Sequence, residues 1–249
     1  MTKAAPGPEQ RKGARARERI VDTAIELLDA DGEAGLTFRT LATRLETGHG
    51  AIQWHFSTNG ELVMAAADVA VTRALPETGS GTSARDEIHA VALAVYEAIE
   101  AHPWVGDPLA RPPWRSAMLK LFERLGRQID ALGVPVAAQF TATSALLIHI
   151  VGAGRQEAIN SHSPEAHADR QDFLDQLAAH WAQLDAADYA FTRTMADHLR
   201  HHDDRTEFQA GLDLILAGIQ QTAHPTAAQP RQRTTTRTAP AHPGPTRPR

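Results

Sequence analysis

The sequence predicts an all-α protein, with an N-terminal unit of short helices followed by a larger helical body. Two observations carry this. Apolar residues recur at spacings of three, four and seven almost throughout residues 14–221, while no alternating strand pattern appears. Pro103, Pro108, Pro112-Pro113 and Pro135 punctuate the periodic runs. With 249 residues, 42% apolar and 22% charged, the composition excludes collagen, a wholly disordered chain and a disulfide scaffold. The absence of cysteine removes thiol nucleophiles and Cys-ligated zinc.

Residues 1–13, rich in Ala, Pro, Gly and Gln, are expected to form a disordered arm. Arg15, Arg17 and Arg19 then lead into a helix marked by Ile20, Val21, Ala24, Ile25, Leu27 and Leu28. Asp31-Gly32 and Gly35 stop it. Thr37 is a plausible N-cap for a short helix through Phe38, Leu41, Ala42 and Leu45. Glu46-Thr47-Gly48 reads as a tight turn, and residues 49–56 as a second short helix with Ile52 and Phe56 on one face. Thr58 and Glu61 form a capping box, starting a longer helix that ends before Pro76.

A Gly/Ser/Thr-rich link at 77–84 precedes body helices predicted at about 85–101, 113–132, 136–160, 165–184, 186–201 and 204–221. Residues 131–154 contain no charged residue, enough to span a bilayer, but they carry Pro135, Gln139, Thr141, Thr143, Ser144 and His149. They read as a buried helix, and no membrane partner is expected. Residues 222–249, with six prolines, seven threonines, five arginines and no acid, are expected to be a disordered tail. The division is therefore 1–13 arm, 14–60 head, 61–221 body and 222–249 tail. No apolar h-region occupies the first twenty residues, so the expected location is cytoplasmic.

Charge is distributed unevenly. Residues 1–56 balance eight basic against eight acidic groups, and 57–221 hold twelve against twenty-two. An acidic body does not attract phosphate, whereas a neutral head and a basic tail allow it locally. Two short helices across a tight turn, braced by a longer one, form a helix-turn-helix whose second helix fits the major groove. Packing Phe38, Leu41, Leu45, Ile52 and Phe56 on Ile25 and Leu28 leaves Arg39, Thr40, His49, Gln53 and Trp54 facing outward. Arg39 suits guanine O6/N7, and Gln53 suits adenine or a phosphate.

The stretch 19–62, with Leu36-Thr37-x-Arg39-x-Leu41-Ala42 and Trp54-His55-Phe56 before the 58–62 helix start, resembles the TetR family of bacterial repressors. The resemblance implies base-edge reading by Arg39 and His49. It places Thr37, Gln53, Trp54, His55 and Asn59 at or near phosphates. Three positions depart from the family pattern, which usually has Gly at Glu46, Tyr at Gln53 and Lys at Asn59. These departures imply DNA binding that is weaker or leans on the basic run at 11–19.

His102-Pro103-Trp104 and the run from Phe208 through Gly211, Leu212 and Ile215 to Ile219 resemble the tetracycline-repressor-type C-terminal domain. That implies a small-molecule effector and a homodimer joined by a four-helix bundle. The stripes Leu212/Ile215/Leu216/Ile219 and Leu146/Leu147/Ile150/Val151 are expected to exceed what one body buries. Candidate effector-site residues are Trp104, Trp114, Met118, Phe122, Phe140, His149, Gln156 and Trp181, although aromatic and methionine residues at helical spacing are more often core than ligand contacts.

His198, His201 and His202 have zinc-compatible spacing but sit at a polar helix end, so no metal is expected, and no cofactor. No GxSxG, P-loop, HExxH or GxGxxG motif supports an enzyme. The reading is a repressor released from a palindromic operator in double-stranded DNA by a small hydrophobic molecule. The alternatives are an activator, or a helical ligand-binding dimer with a weakened head.

Overall fold

The computed structural model describes residues 7–79, 83–110, 117–161 and 170–223. Among them the regular elements are all helical: α1 (Pro8–Gly35), α2 (Phe38–Arg44), α3 (His49–Gln53), α4 (Asn59–Ala74), α5 (Ala84–Ala101), a 3-10 turn (Pro103–Val105), α6 (Gly106–Ala110), α7 (Ala117–Ala131), α8 (Val136–Ser161), α9 (Arg170–Gln183), α10 (Ala186–Arg200) and α11 (Asp204–Ala223). The all-α expectation holds, and the long helices fall close to their predicted limits. The tail from 224 onward and residues 1–6 lie outside the described residues.

Three boundaries differ from the sequence reading. First, α1 begins at Pro8, inside the arm expected to be disordered. Gly7 N–H donates to Gln10 Oε1 at 3.2 Å, proline occupies the first turn, and the Arg/Ala-rich run that follows has high helix propensity. Second, α3 stops at Gln53, shorter than predicted, because Trp54 and His55 turn the chain so that Phe56 enters the core. Third, the short elements at 103–110 had too little periodicity to be seen.

The head core joins Ile20, Val21, Ala24, Leu27 and Leu28 of α1 to Leu36, Leu41, Ala42, Ile52 and Phe56. Gly32, at φ 64°, breaks α1 so that the chain can turn toward α2. Helix α4 serves two cores. Leu62, Val63 and Ala66 complete the head, and Ala67, Ala70 and Val71 enter the body. One helix is thus shared between head and body.

In the body, α8 is central, with α5, α6, α7 and α11 packed around it. Its length and apolar character would suffice to cross a membrane, but it is here a core helix whose inner face meets these neighbours. One expectation is corrected. Leu146, Leu147, Ile150 and Val151 are buried in the body core, as are Leu212, Leu216 and Ile219 of α11. Both stripes are taken up by the core of one protomer, which α5, α6, α7, α8 and α11 build together. Other apolar side chains stay exposed, among them Ile148 and Ile159 on α8, 74% and 63% exposed, and Leu214 on α11, 75% exposed. Helices α9 and α10 form an antiparallel hairpin packed chiefly on itself, with only Leu174, Ala178 and Ala196 buried.

Candidate DNA-reading head and effector cavity

Helix α2 opens on a reciprocal cap. Thr37 Oγ1 accepts from Thr40 N–H at 3.1 Å, and Thr40 Oγ1 accepts from Thr37 N–H at 3.0 Å. Thr40 Oγ1 also lies 2.9 Å from the Gly35 and Thr37 carbonyl oxygens. Its hydroxyl is therefore committed to the head, although the residue is exposed as predicted. Arg39, His49, Gln53 and Trp54 are exposed on α2 and α3. The His49 ring meets Phe38 edge-on at 5.6 Å, which orients it at the start of α3. Trp54, 79% exposed, meets His55 edge-on at 4.7 Å. A tryptophan so exposed on a polar face has stacking area to offer a sugar-phosphate backbone.

Asn59 is used differently. Its Nδ2 donates to the Leu36 carbonyl at 3.0 Å, tying α4 to the end of α1. Beside it, Thr58 caps α4 by accepting from Glu61 N–H at 3.1 Å. The Glu61 carboxylate returns to Ser57 N–H at 2.9 Å, one residue earlier than a capping box requires.

The turn is a Schellman closure. Thr47 N–H donates to Ala42 O at 3.0 Å, and Glu46 N–H to Thr43 O at 3.2 Å. That pattern requires a left-handed residue at Glu46, which has φ 52°. A Cβ there strains the backbone, and the carboxylate stands next to α3.

The candidate effector residues are not brought together. Met118 lines a cavity of about 300 Å³ between α6, α7 and α8, with Leu109, Leu147, Val151, Gly152 and Arg155. Phe122 and Phe140, ring centroids 5.6 Å apart, line a separate groove between α7 and α8. Trp104 joins the two units: its indole N–H donates to Asp29 Oδ1 at 2.7 Å, and its ring touches both cores. His149 Nε2 donates to the Phe208 carbonyl at 3.0 Å and its ring stacks on Phe208. Gly211 permits this, since a Cβ there would lie 2.6 Å from the imidazole. Gln156 is exposed and donates to Asn160 at 2.9 Å. Trp181 is half-buried on α9, and Trp114 lies outside the described residues.

The residues that sequence reasoning missed connect the cavity to the head. His102 Nδ1 and Trp104 Nε1 both lie 2.7 Å from Asp29 Oδ1 on α1. The next five-residue helix, α6, supplies Leu109 and Ala110 to the cavity. Arg155, on the cavity's far wall, pairs with Asp107 of α6 at 2.5 Å. The His102-Pro103-Trp104 run was the available signal: polar aromatics at a helix end need partners, but only the fold supplies Asp29.

A polar cavity of about 370 Å³ lies where α5, α8 and α11 meet the root of α9. Burial, followed by the charge of Asp204, pushes Glu157 up to about 7. Burial also raises the Tyr96 phenol. Burial opposes ionisation of Asp204 as well, but hydrogen bonds from Arg170 and His202 hold its carboxyl below the usual range. The Arg170–Asp204 pair anchors the α9–α10 hairpin here. His201 Nδ1 lies 3.2 Å from the Asp197 carbonyl, and His202 Nε2 lies 3.1 Å from Asp204 Oδ1. Among the described residues no His/Asp/Glu group is arranged to hold a metal ion.

Residues 75–223 match the tetracyclin repressor-like, C-terminal domain. The chain belongs to the TetR family. It is a transcriptional regulator, and its relatives agree. A transcriptional regulator from Streptomyces coelicolor, itself a TetR, shares 49% identity and superposes with a TM-score of 0.74, covering 83% of this chain and 98% of that one. An HTH-type transcriptional regulator from Saccharopolyspora erythraea is 29% identical over 212 residues, 83% of this chain and 85% of its own. ActR from Streptomyces coelicolor, in complex with actinorhodin, shares the fold at 24% identity and a TM-score of 0.69, over 84% of this chain and 98% of its own.

Within this TetR-family head, Glu46 is the testable departure. Glu46→Gly should raise stability by about 1 kcal/mol, moving Tm up by about 2–4 °C. It should also tighten DNA binding at low salt, since one carboxylate leaves the neighbourhood of α3. Calorimetry of the pure protein is the check, and a lowered Tm would mean that the turn carries no strain.

Proposed function

We propose that the protein is a ligand-responsive repressor, a homodimer that covers a palindromic operator until a small hydrophobic molecule releases it. One observation carries this reading. The segment that lines the α6–α7–α8 cavity is the same segment whose start is bonded to α1 of the head through Asp29. A ligand that displaces α6 must alter how the head sits on the body. It shifts the equilibrium only by its differential affinity for the two arrangements. Among its described lining residues the cavity is apolar apart from Arg155, which already pairs with Asp107 of α6, so an apolar molecule bearing a carboxylate would bind by competing with Asp107.

The exposed Ile148, Ile159 and Leu214 on α8 and α11 supply an apolar face for a second copy. A two-fold axis there sets two α3 helices one DNA turn apart, about 34–36 Å. Arg39 and His49 read base edges, while Thr37, Gln53, Trp54 and His55 meet the backbone. Asn59, bonded to Leu36, positions α4 rather than reaching a phosphate. An activator works from the same geometry, the sign being set by where the operator lies. Reading operator DNA places the protein in the cytoplasm.

The test begins with an operator selected from a random DNA library, then screens apolar carboxylates for release. Asp29→Ala is expected to keep operator affinity within about threefold and keep ligand binding, yet lose most ligand-induced release. Undiminished release in that variant would sink the α6-to-α1 route. Failure of the wild-type protein to select any sequence would sink the reading itself.

A further inference from the structure

Helix α1 reaches well beyond the core it serves. Its first buried residue is Ile20; residues 14–19 flank the head, bordering α4, the turn and α3, and residues 8–13 extend about 9 Å of helix beyond them. Residues 8–19 have a charge pattern of their own. At about 100° per residue, Arg11, Arg15, Arg19 and Lys12 fall within one sector of about 100°, with Glu9 and Glu18 to either side. All four cations are exposed, and Lys12, Arg15 and Arg19 form no ion pair among the described residues. Arg17 faces the other way, its guanidinium 4.7 Å over the Phe56 ring, and this stack holds the projecting helix to the head.

The stripe is continuous with the reading surface. Arg19 and Ala16 border a groove of about 300 Å³ against Glu46, Thr47, Ala51 and His55, at the turn and the start of α3. From there the cations run outward for about 12 Å, a length that spans several phosphates. The head needs such charge. Glu46 adds a carboxylate at the turn, and Asn59 spends its amide on Leu36.

We propose that the 8–19 extension of α1 is a second DNA-contacting element, an arm whose Arg11, Lys12, Arg15 and Arg19 engage phosphates flanking each half-site without reading bases. The inference rests on the DNA-binding reading above. It assigns affinity to the arm and sequence selection to α2 and α3. A helical arm pays little ordering entropy on binding, unlike a disordered basic tail.

The test compares the full-length wild type with the triple variant Arg11→Ala/Lys12→Ala/Arg15→Ala. Alanine preserves helix propensity, and none of the three residues is in the core, so circular dichroism and Tm should be unchanged. Affinity for a library-selected operator and for random-sequence duplex is measured across a salt series. The expected result is about a 10- to 100-fold loss on both DNAs near physiological salt, with their ratio unchanged. The slope of log affinity against log salt should shrink by up to about five, three contacts per protomer in a dimer. Trimming the operator flanks should weaken the wild type to the level of the triple variant.

Equal affinities and slopes for the two proteins would overturn the arm while leaving the head intact. A loss confined to the operator would also overturn it, since it would make these residues readers. If the wild type selects no operator but binds random duplex through these residues, the arm stands and the repressor reading falls. If it binds neither DNA, both fall.

Discussion

Arg39→Ala is expected to abolish sequence-selective DNA binding while leaving fold and stability untouched. Arg39 is exposed one residue inside α2, just past the Thr37 cap, and belongs to neither core. A bidentate arginine–guanine pair is worth about 1–3 kcal/mol of discrimination, and a dimer carries two, so the loss is about 30-fold to 10⁴-fold. The same substitution should change affinity for random duplex by only a few-fold. Competition between operator and random DNA at fixed salt separates these quantities. An equal loss on both would reassign Arg39 to a phosphate, and no loss on either would remove it from the interface.

The largest stability effect is expected in the body, at a buried ion pair without apparent reading function. Arg124 of α7 donates through Nε and Nη2 to Glu87 Oε1 at 2.8 and 2.5 Å. It also donates to the carbonyls of Pro76 and Glu77 at 2.6 and 3.1 Å. The Glu87 side chain is only 4% exposed and that of Arg124 12%. Arg124→Ala removes the guanidinium from a buried carboxylate and the donor from two carbonyls. The cost is about 3–5 kcal/mol, lowering Tm by about 6–20 °C. The double variant Glu87→Leu/Arg124→Met should regain much of that, because an apolar pair needs no desolvated charge. It will not regain all, since the Pro76 and Glu77 carbonyls stay without that donor. A single variant within about 1 kcal/mol of wild type would show that water reaches the pair. Because Arg124 also clamps the end of α4 to α5, operator release in a surviving variant should change as well.

Most of the head was legible in advance. Its elements announce themselves locally: the Thr37 and Thr58 caps, the Gly32 break and the spacing of Leu41, Ile52 and Phe56 all act within a few residues. The body helices were legible for the same reason. Their partners were not. The Leu146/Leu147/Ile150/Val151 stripe shows that α8 must be covered, but periodicity names no cover, and the fold supplies α5, α6, α7 and α11 of the same chain. The surroundings of the effector candidates were hidden in the same way. Aromatic and methionine residues on helices look alike whether they fill a core, line a cavity or bridge two units. Met118 reached a cavity, Trp104 a carboxylate 75 residues away, and His149 a carbonyl 59 residues away.

What the sequence determined by itself was the helical class, the helix-turn-helix with its outward residues, and the family resemblance. All of these depend on contacts within one or two helical turns, which spacing encodes directly. What only the tertiary structure decided was the sharing of α4 between two cores, the Asp29 joint to His102 and Trp104, and the cavity behind α6. Those rest on which distant surfaces meet, and a one-dimensional pattern states how much apolar or polar surface needs a partner without stating which partner it finds.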